Sequence, residues 1–232
     1  MLIGRVRDWY GVDLTFSLQF INTFVVLVED QAQTAIDKYR AEKKTETVSD
    51  ISSDDGSEYS RNIETFGGFD DDLFDLKYLW EVYFPSLLRR SALITVYGFF
   101  EHELQQLCER YRNEKKFRLA ISDLRDEGDI KTQVTYLEKV ANLHVHKSTQ
   151  VWVTINHIRV VRNTVVHSDG RILGSDGKVP EKLSNAMEFL KIGTNSNELL
   201  FEKGFLAQVV DVFTAYFGMI DESIQEAEGP RS

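Results

Sequence analysis

Residues 151–170 read V-W-V-T-I-N-H-I-R-V-V-R-N-T-V-V-H-S-D-G. Placing successive side chains about 100° apart reads this stretch as a helix. Val151, Ile155, Ile158, Val165 and Val166 then stack into one apolar stripe with Arg162 in its middle. A guanidinium in a core-facing position has to be paired, because an uncompensated buried charge is costly. Asn156, Arg159, Asn163 and His167 occupy the flanking face. Ser148 or Thr149 can cap the start, and Gly170, after the weaker helix formers Ser168 and Asp169, supplies the stop. Arg162, Asn163 and His167 thus gather near one helix end.

Working outward, the same periodicity recurs along most of the chain. Leu14, Leu18, Ile21, Val25, Val28, Ala32, Ala35 and Tyr39 predict a long helix from Asp13 or Thr15 to about Lys44. Leu73 to Phe84 reads as a helix that Pro85 interrupts or restarts. Ser86 to about Glu114 follows as the central wall of the core, through Leu87, Leu88, Leu93, Val96, Tyr97, Phe100, Leu104, Leu107 and Tyr111. Asp129 to about Leu143 is helical, and Lys203 to about Glu226 closes the chain with Phe205, Leu206, Val209, Val210, Phe213, Phe217 and Ile220 on one side. Between the first two helices, Thr45 to Gly68 is rich in Ser, Asp and Thr with little to bury, which predicts an acidic mobile loop over 45–68. Arg171–Val179, turning at Asp176-Gly177, predicts a small hairpin, and a short helix is expected over Pro180 to Leu190. Ile192 and Glu198–Glu202, flanking Thr194-Asn195-Ser196-Asn197, predict a second ribbon.

The expected fold class is therefore all-α, a helical bundle forming a single domain over 1–232, with one or two short β-ribbons in the C-terminal third. At 232 residues, 42% of them hydrophobic, the chain can bury one good core. No uninterrupted apolar run reaches the roughly 20 residues of a membrane span, and no secretory leader is evident, so no membrane partner is expected. The single cysteine, Cys108, excludes an internal disulfide and suits a cytoplasmic location. The net charge of −10 is concentrated in residues 46–75, which carry −9, so the rest of the chain is near neutral. Arg89-Arg90 or Arg110 through Arg118 could then meet a phosphate backbone, although a solvated helix face is the more ordinary reading.

The string Arg162-Asn163-x-x-x-His167 resembles the R-x(4-6)-H signature of HEPN domains, in which a polar residue follows the arginine at the end of a long helix. The resemblance implies a HEPN-like bundle and a metal-independent endoribonuclease of the defence or toxin type. It also implies a homodimer in which two motifs meet across the interface, RNA as substrate, and an antitoxin or regulatory protein as a further partner. One departure is plain: where members paired with a nucleotidyltransferase antitoxin carry a tyrosine two residues past the histidine, this chain has Asp169.

The chemistry fits these residue types. A histidine titrates near neutral pH and can move a proton, and an arginine stays charged and can steady a phosphorane-like transition state. Because the 2′-hydroxyl of RNA supplies the nucleophile, no cofactor or metal is needed. Arg162, Asn163 and His167 are the catalytic candidates, Arg159 and Asn156 the substrate-binding ones, and Glu101 or Glu103 the supporting acid beside Arg162. The competing reading makes Arg162 a structural ion-pair partner and His167 a helix-end residue, within a non-catalytic HEPN-like dimerisation or protein- or nucleotide-binding module. The phosphate-loop, dinucleotide and nucleophile-elbow motifs are absent. His144 and His146 lack the third ligand that a zinc site needs.

Overall fold

The computed structural model describes residues 5–51, 57–124, 130–172, 190–192 and 198–229. These form a mostly helical chain with a small β part. Helix α1 spans Thr15–Glu42, α2 is the single turn Leu76–Tyr78, α3 spans Phe84–Lys115 and α4 Ile130–Lys139. Helix α5 spans Gln150–Ser168 and α6 Phe205–Glu228. As the central wall, α3 packs against α1, α4, α5 and α6. Its Leu93, Val96, Tyr97, Phe100 and Leu104 are fully buried, and Phe100 stacks on Phe213 of α6 with ring centroids 4.0 Å apart.

Helical winding begins earlier than Asp13, with a 3₁₀ turn at Val6–Asp8 and a π turn at Trp9–Leu14 leading straight into α1. Buried Trp9 and Leu14 hold these turns against the core, and Thr15, instead of capping, donates its hydroxyl to Tyr10 O at 2.8 Å. Val6–Glu42 contains an eighteen-residue window of mean hydropathy 1.6, long and apolar enough by composition to cross a membrane. Ser17, Gln19, Asn22 and Thr23 interrupt every apolar run in this stretch, whereas its average stays apolar. Only 22% of that window is buried, and α1 covers Leu18, Ile21, Val25, Ala32 and Tyr39 on one side.

The all-α expectation, which placed short β-ribbons only in the C-terminal third and a mobile loop at 45–68, is corrected. Strands β1 (Lys44–Ile51) and β2 (Glu58–Phe66) pair antiparallel from Lys44 opposite Thr65 to Ile51 opposite Glu58, and β3 (Phe69–Asp70) adds to β2. Acidic composition masked a strand pattern, since Thr45, Thr47, Val48, Ile51, Tyr59, Ile63 and Thr65 are β-formers. The acids are cross-strand partners: Arg61 binds Asp50 at 2.8 Å and also Asp72, and Lys43 binds Glu64 at 2.8 Å. Asp71 accepts from Glu64 N at 2.9 Å, so the Asp70–Asp72 run latches the sheet while Asp75 caps α2. At the root of the ribbon, Phe66 meets Trp80 and Tyr39 edge-on, which ties it to α1 and the start of α3.

Pro85 does not break the chain direction. A π turn at Leu79–Tyr83 absorbs the strain and places Pro85 at the first turn of α3, where its missing N–H costs nothing. The ribbon expected around 192–202 is present as β4 (Leu190–Ile192) paired with β5 (Leu199–Phe201). Of the hairpin expected at 171–179 only Arg171 and Ile172 are described, and Arg171 bridges to Glu198. The rest of that hairpin, and the helix expected over Pro180 to Leu190 up to residue 189, lie outside the described residues.

Candidate functional site

Thr149 caps α5, its hydroxyl accepting from Trp152 N at 3.3 Å. The helix buries Trp152, Ile155, Ile158, Val161 and Val165. This corrects the expected stripe: Val166 is exposed and Val151 only half-buried, while Trp152 and Val161 take core places. The reason is that α5 packs against both α3 and α6, and two neighbours cover a broader arc than one periodic line defines.

Arg162 sits at the seam between α5 and α3. Its guanidinium lies over the buried Tyr97 ring, 5.2 Å from the centroid, a cation–π geometry. Nη1 donates to Asn163 Oδ1 at 2.9 Å. Glu101 is the acid beside it, with Oε2 3.8 Å from Nη2 and therefore too far for a hydrogen bond. Glu101 thus offsets the charge without occupying the guanidinium fork, and Nε is buried with no hydrogen-bond partner. The side chain remains 24% exposed.

Asn163 and His167 are one turn apart on the same face of α5. His167 is exposed, and among the described residues it makes no hydrogen bond or ion pair with Arg162 or Asn163. Five residues along a helix is a rotation of about 140°, so Arg162 reaches that face only through Asn163. Asn156 turns back on its own helix, donating to Trp152 O at 2.8 Å, and Arg159 is half-buried beside it in sequence order. Five cavities bordered by described residues are lined elsewhere than by Arg162, Asn163 or His167.

Glu103 does not join this cluster. It lies under the start of α1, close to Ser17, Trp9 and Arg110, beside a cavity of about 450 Å³. Two residues along α3 is a rotation of about 200°, which carries Glu103 away from Glu101. Burial pushes the Glu103 carboxyl above the usual carboxylate value of 4.5, opposed by a hydrogen bond to Ser17. A carboxyl raised on folding contributes stability that is present below 4.5 and is lost as pH rises through its folded value. Glu103→Gln is therefore expected to raise the melting temperature at neutral pH and to leave it unchanged below the usual carboxylate value, as melts across pH would read out.

Two residues that matter to this region, Arg89 and Arg90, were expected on the surface and are buried. Arg90 donates Nη1 to Asp169 O at 2.6 Å, and its Nη2 stands 3.5 Å from Asp169 Oδ1. It thereby clamps the negative end of the α5 dipole. Asp169 has φ 50° and Gly170 φ 75°, and a Cβ on Gly170 would fall 2.7 Å from Arg90 Nη1, so only glycine lets the clamp close. Asp169 is therefore a helix-end residue. Arg89 binds Glu29 of α1 through Nε and Nη2 and donates Nη1 to Phe201 O. The signal was present, since both arginines fall on the α3 face that continues through Leu93, Val96 and Tyr97. The other basic stretch is partly consumed: Arg110 pairs with Asp13 at 2.8 Å and Lys115 with Glu228, about 20 Å along α3 from Tyr97.

His144 and His146 lie 4.2 Å apart, and His146 Nε2 meets Ser223 Oγ at 2.8 Å. Among the described residues no group of three or more His, Cys, Asp or Glu could hold a metal ion. Comparison with protein-family models, with curated proteins and with solved structures returns no match in any of the three.

Proposed function

We propose that the chain is a metal-independent endoribonuclease of the HEPN type, acting as a homodimer in defence or toxin-like RNA cleavage in the cytoplasm. The observation that supports it most is the held Arg162–Asn163 pair, a guanidinium steadied by Tyr97 and only loosely balanced by Glu101, one turn from an exposed His167. In this reading a base takes the proton of an RNA 2′-hydroxyl as O2′ bonds to phosphorus. The P–O5′ bond breaks and the leaving oxygen is protonated, giving a 2′,3′-cyclic phosphate and a 5′-hydroxyl. His167 is the group that moves a proton, Arg162 stabilises the charge gathering on the phosphoryl oxygens, and Asn163 holds the guanidinium or the phosphate.

Purified wild type is expected to cleave RNA in the presence of chelator and to leave 2′,3′-cyclic ends. Absence of cleavage across structured and single-stranded RNA pools would reject the reading. A second reading, a non-catalytic interaction module, is favoured by one specific observation: among the described residues His167 makes no hydrogen bond or ion pair with Arg162 or Asn163, so the three side chains do not form one connected cluster.

A further inference from the structure

Helix α1 carries two apolar stripes on opposite sides. The inner one is buried in the core, whereas the outer one, Phe16, Phe20 and Leu27, is 70%, 71% and 60% exposed and is continued by Val12 of the preceding π turn, 69% exposed. Phe16, Phe20, Thr23 and Leu27 recur at alternating steps of four, three and four, the spacing of a helix–helix seam. Thr23 fits this seam because its hydroxyl is satisfied by Gln19 O at 2.9 Å, leaving its methyl to pack. Asp13 and Asp30 bound the stripe. Beside its C-terminal half, Phe24, Leu27 and Val28 of α1 and Leu88, Ser91 and Thr95 of α3 border an apolar groove of about 430 Å³.

We propose that this face binds a second copy of the chain, with the two α1 helices antiparallel across a two-fold axis near Ile21 and Asn22. A two-fold interface has to be self-complementary, and this one is: the N-terminal half carries protruding phenyl rings and the C-terminal half a groove. About that axis Phe16 of each copy meets Leu27 and the groove of the other, and Phe20 meets Thr23. The exposed stripe offers on the order of 500 Å² of apolar surface, as large as the largest patch of most monomers. Two such patches bury about 1,000 Å² before the groove is counted, the threshold for a specific interface.

A lipid surface is the weaker occupant. From Asp8 to Asp37 the chain has no Lys, Arg or His and five acids, the reverse of helices that lie on anionic membranes. The face also differs from the one the motif resemblance implies, since it lies on α1 and the α1 side of α3. Tyr97 and Glu101 face α5, with exposed Ile94 between the two surfaces. The proposal uses no residue of the Arg162 cluster. A wild type that cuts no RNA yet associates through α1 would reject the nuclease reading and leave this one standing.

Sedimentation of the full chain at about ten micromolar tests it. Wild type should run at twice the mass of Phe16→Glu/Phe20→Glu, whether or not the motif face also pairs chains, because that variant should weaken association through α1 at least ~100-fold, as loss of central aromatic contacts does. At concentrations low enough for wild type to dissociate as well, the melts should coincide, because neither ring is buried in the single chain. Cys108 is buried, so introduced cysteines report alone. Under mild oxidation Phe16→Cys/Leu27→Cys should cross-link into dimers, and Phe16→Cys by itself should not. A monomeric wild type, a double-glutamate variant that runs at the wild-type mass, or cross-linking through Phe16→Cys alone would each overturn the proposal. So would a chain that is monomeric in solution and floats with phosphatidylcholine or phosphatidylserine vesicles only while Phe16 and Phe20 are intact.

Discussion

His167→Ala is expected to lower the rate of RNA cleavage by about 10²–10⁴-fold, the usual contribution of a positioned proton-transfer group. Its thermal unfolding should stay within about 0.5 kcal/mol of wild type, as for surface positions without a special role. The imidazole is exposed on the last turn of α5 and holds no described partner, so deletion removes chemistry and little packing. Arg162 is the harder comparison, because alanine there also uncovers the Tyr97 ring and removes the charge that stands 3.8 Å from Glu101. Arg162→Lys keeps a charge while losing the planar fork, and should be impaired in cleavage while folded. An His167→Ala chain that melts like wild type and cuts RNA at the wild-type rate would end the catalytic reading.

The largest effect on stability is expected at Arg89. Its guanidinium makes 2.9, 3.0 and 2.7 Å contacts with the Glu29 carboxylate and a 3.1 Å bond to Phe201 O, and both side chains are mostly buried. Phe201 N in turn donates to Ser86 Oγ at 2.9 Å, so one turn of α3 fastens α1 and β5 together. Arg89→Ala would leave the carboxylate and a carbonyl without partners, at a cost of about 3–5 kcal/mol. Replacing both members, Glu29→Met/Arg89→Met, should recover most of that, because desolvating the pair offsets much of its attraction. Urea unfolding of the wild type, Glu29→Met, Arg89→Met and the double variant reads the coupling directly. A single-variant loss under about 1 kcal/mol would show that the α1–α3 contact does not depend on this pair.

The motif helix shows how far local pattern reaches. Its start at Ser148 or Thr149, its end near Ser168 and its glycine stop are short-range properties legible in the sequence, and the structure chooses Thr149 as the cap. Which of its valines face the core was misread, because α3 and α6 together cover a broader arc than a single periodic line. The ribbon at 44–66 was misread for a related reason. Its strands are largely exposed and acidic, so composition argued against burial, while pairing depended on partners up to twenty-one residues away, Lys43 with Glu64 among them.

The sequence by itself determined the helical character of most of the chain, the helix carrying Arg162, Asn163 and His167, and the presence of an acid near Arg162. Those follow from periodicity, capping and the cost of an unpaired charge, each expressed over a few neighbouring residues. Tertiary structure alone decided that the acid is Glu101 and not Glu103, that Arg89 and Arg90 are internal fasteners, and that a second apolar stripe of α1 faces outward. Each of these depends on which faces of separate helices meet. A single sequence records the apolar surfaces that must be covered, and only packing selects which of them the chain covers itself.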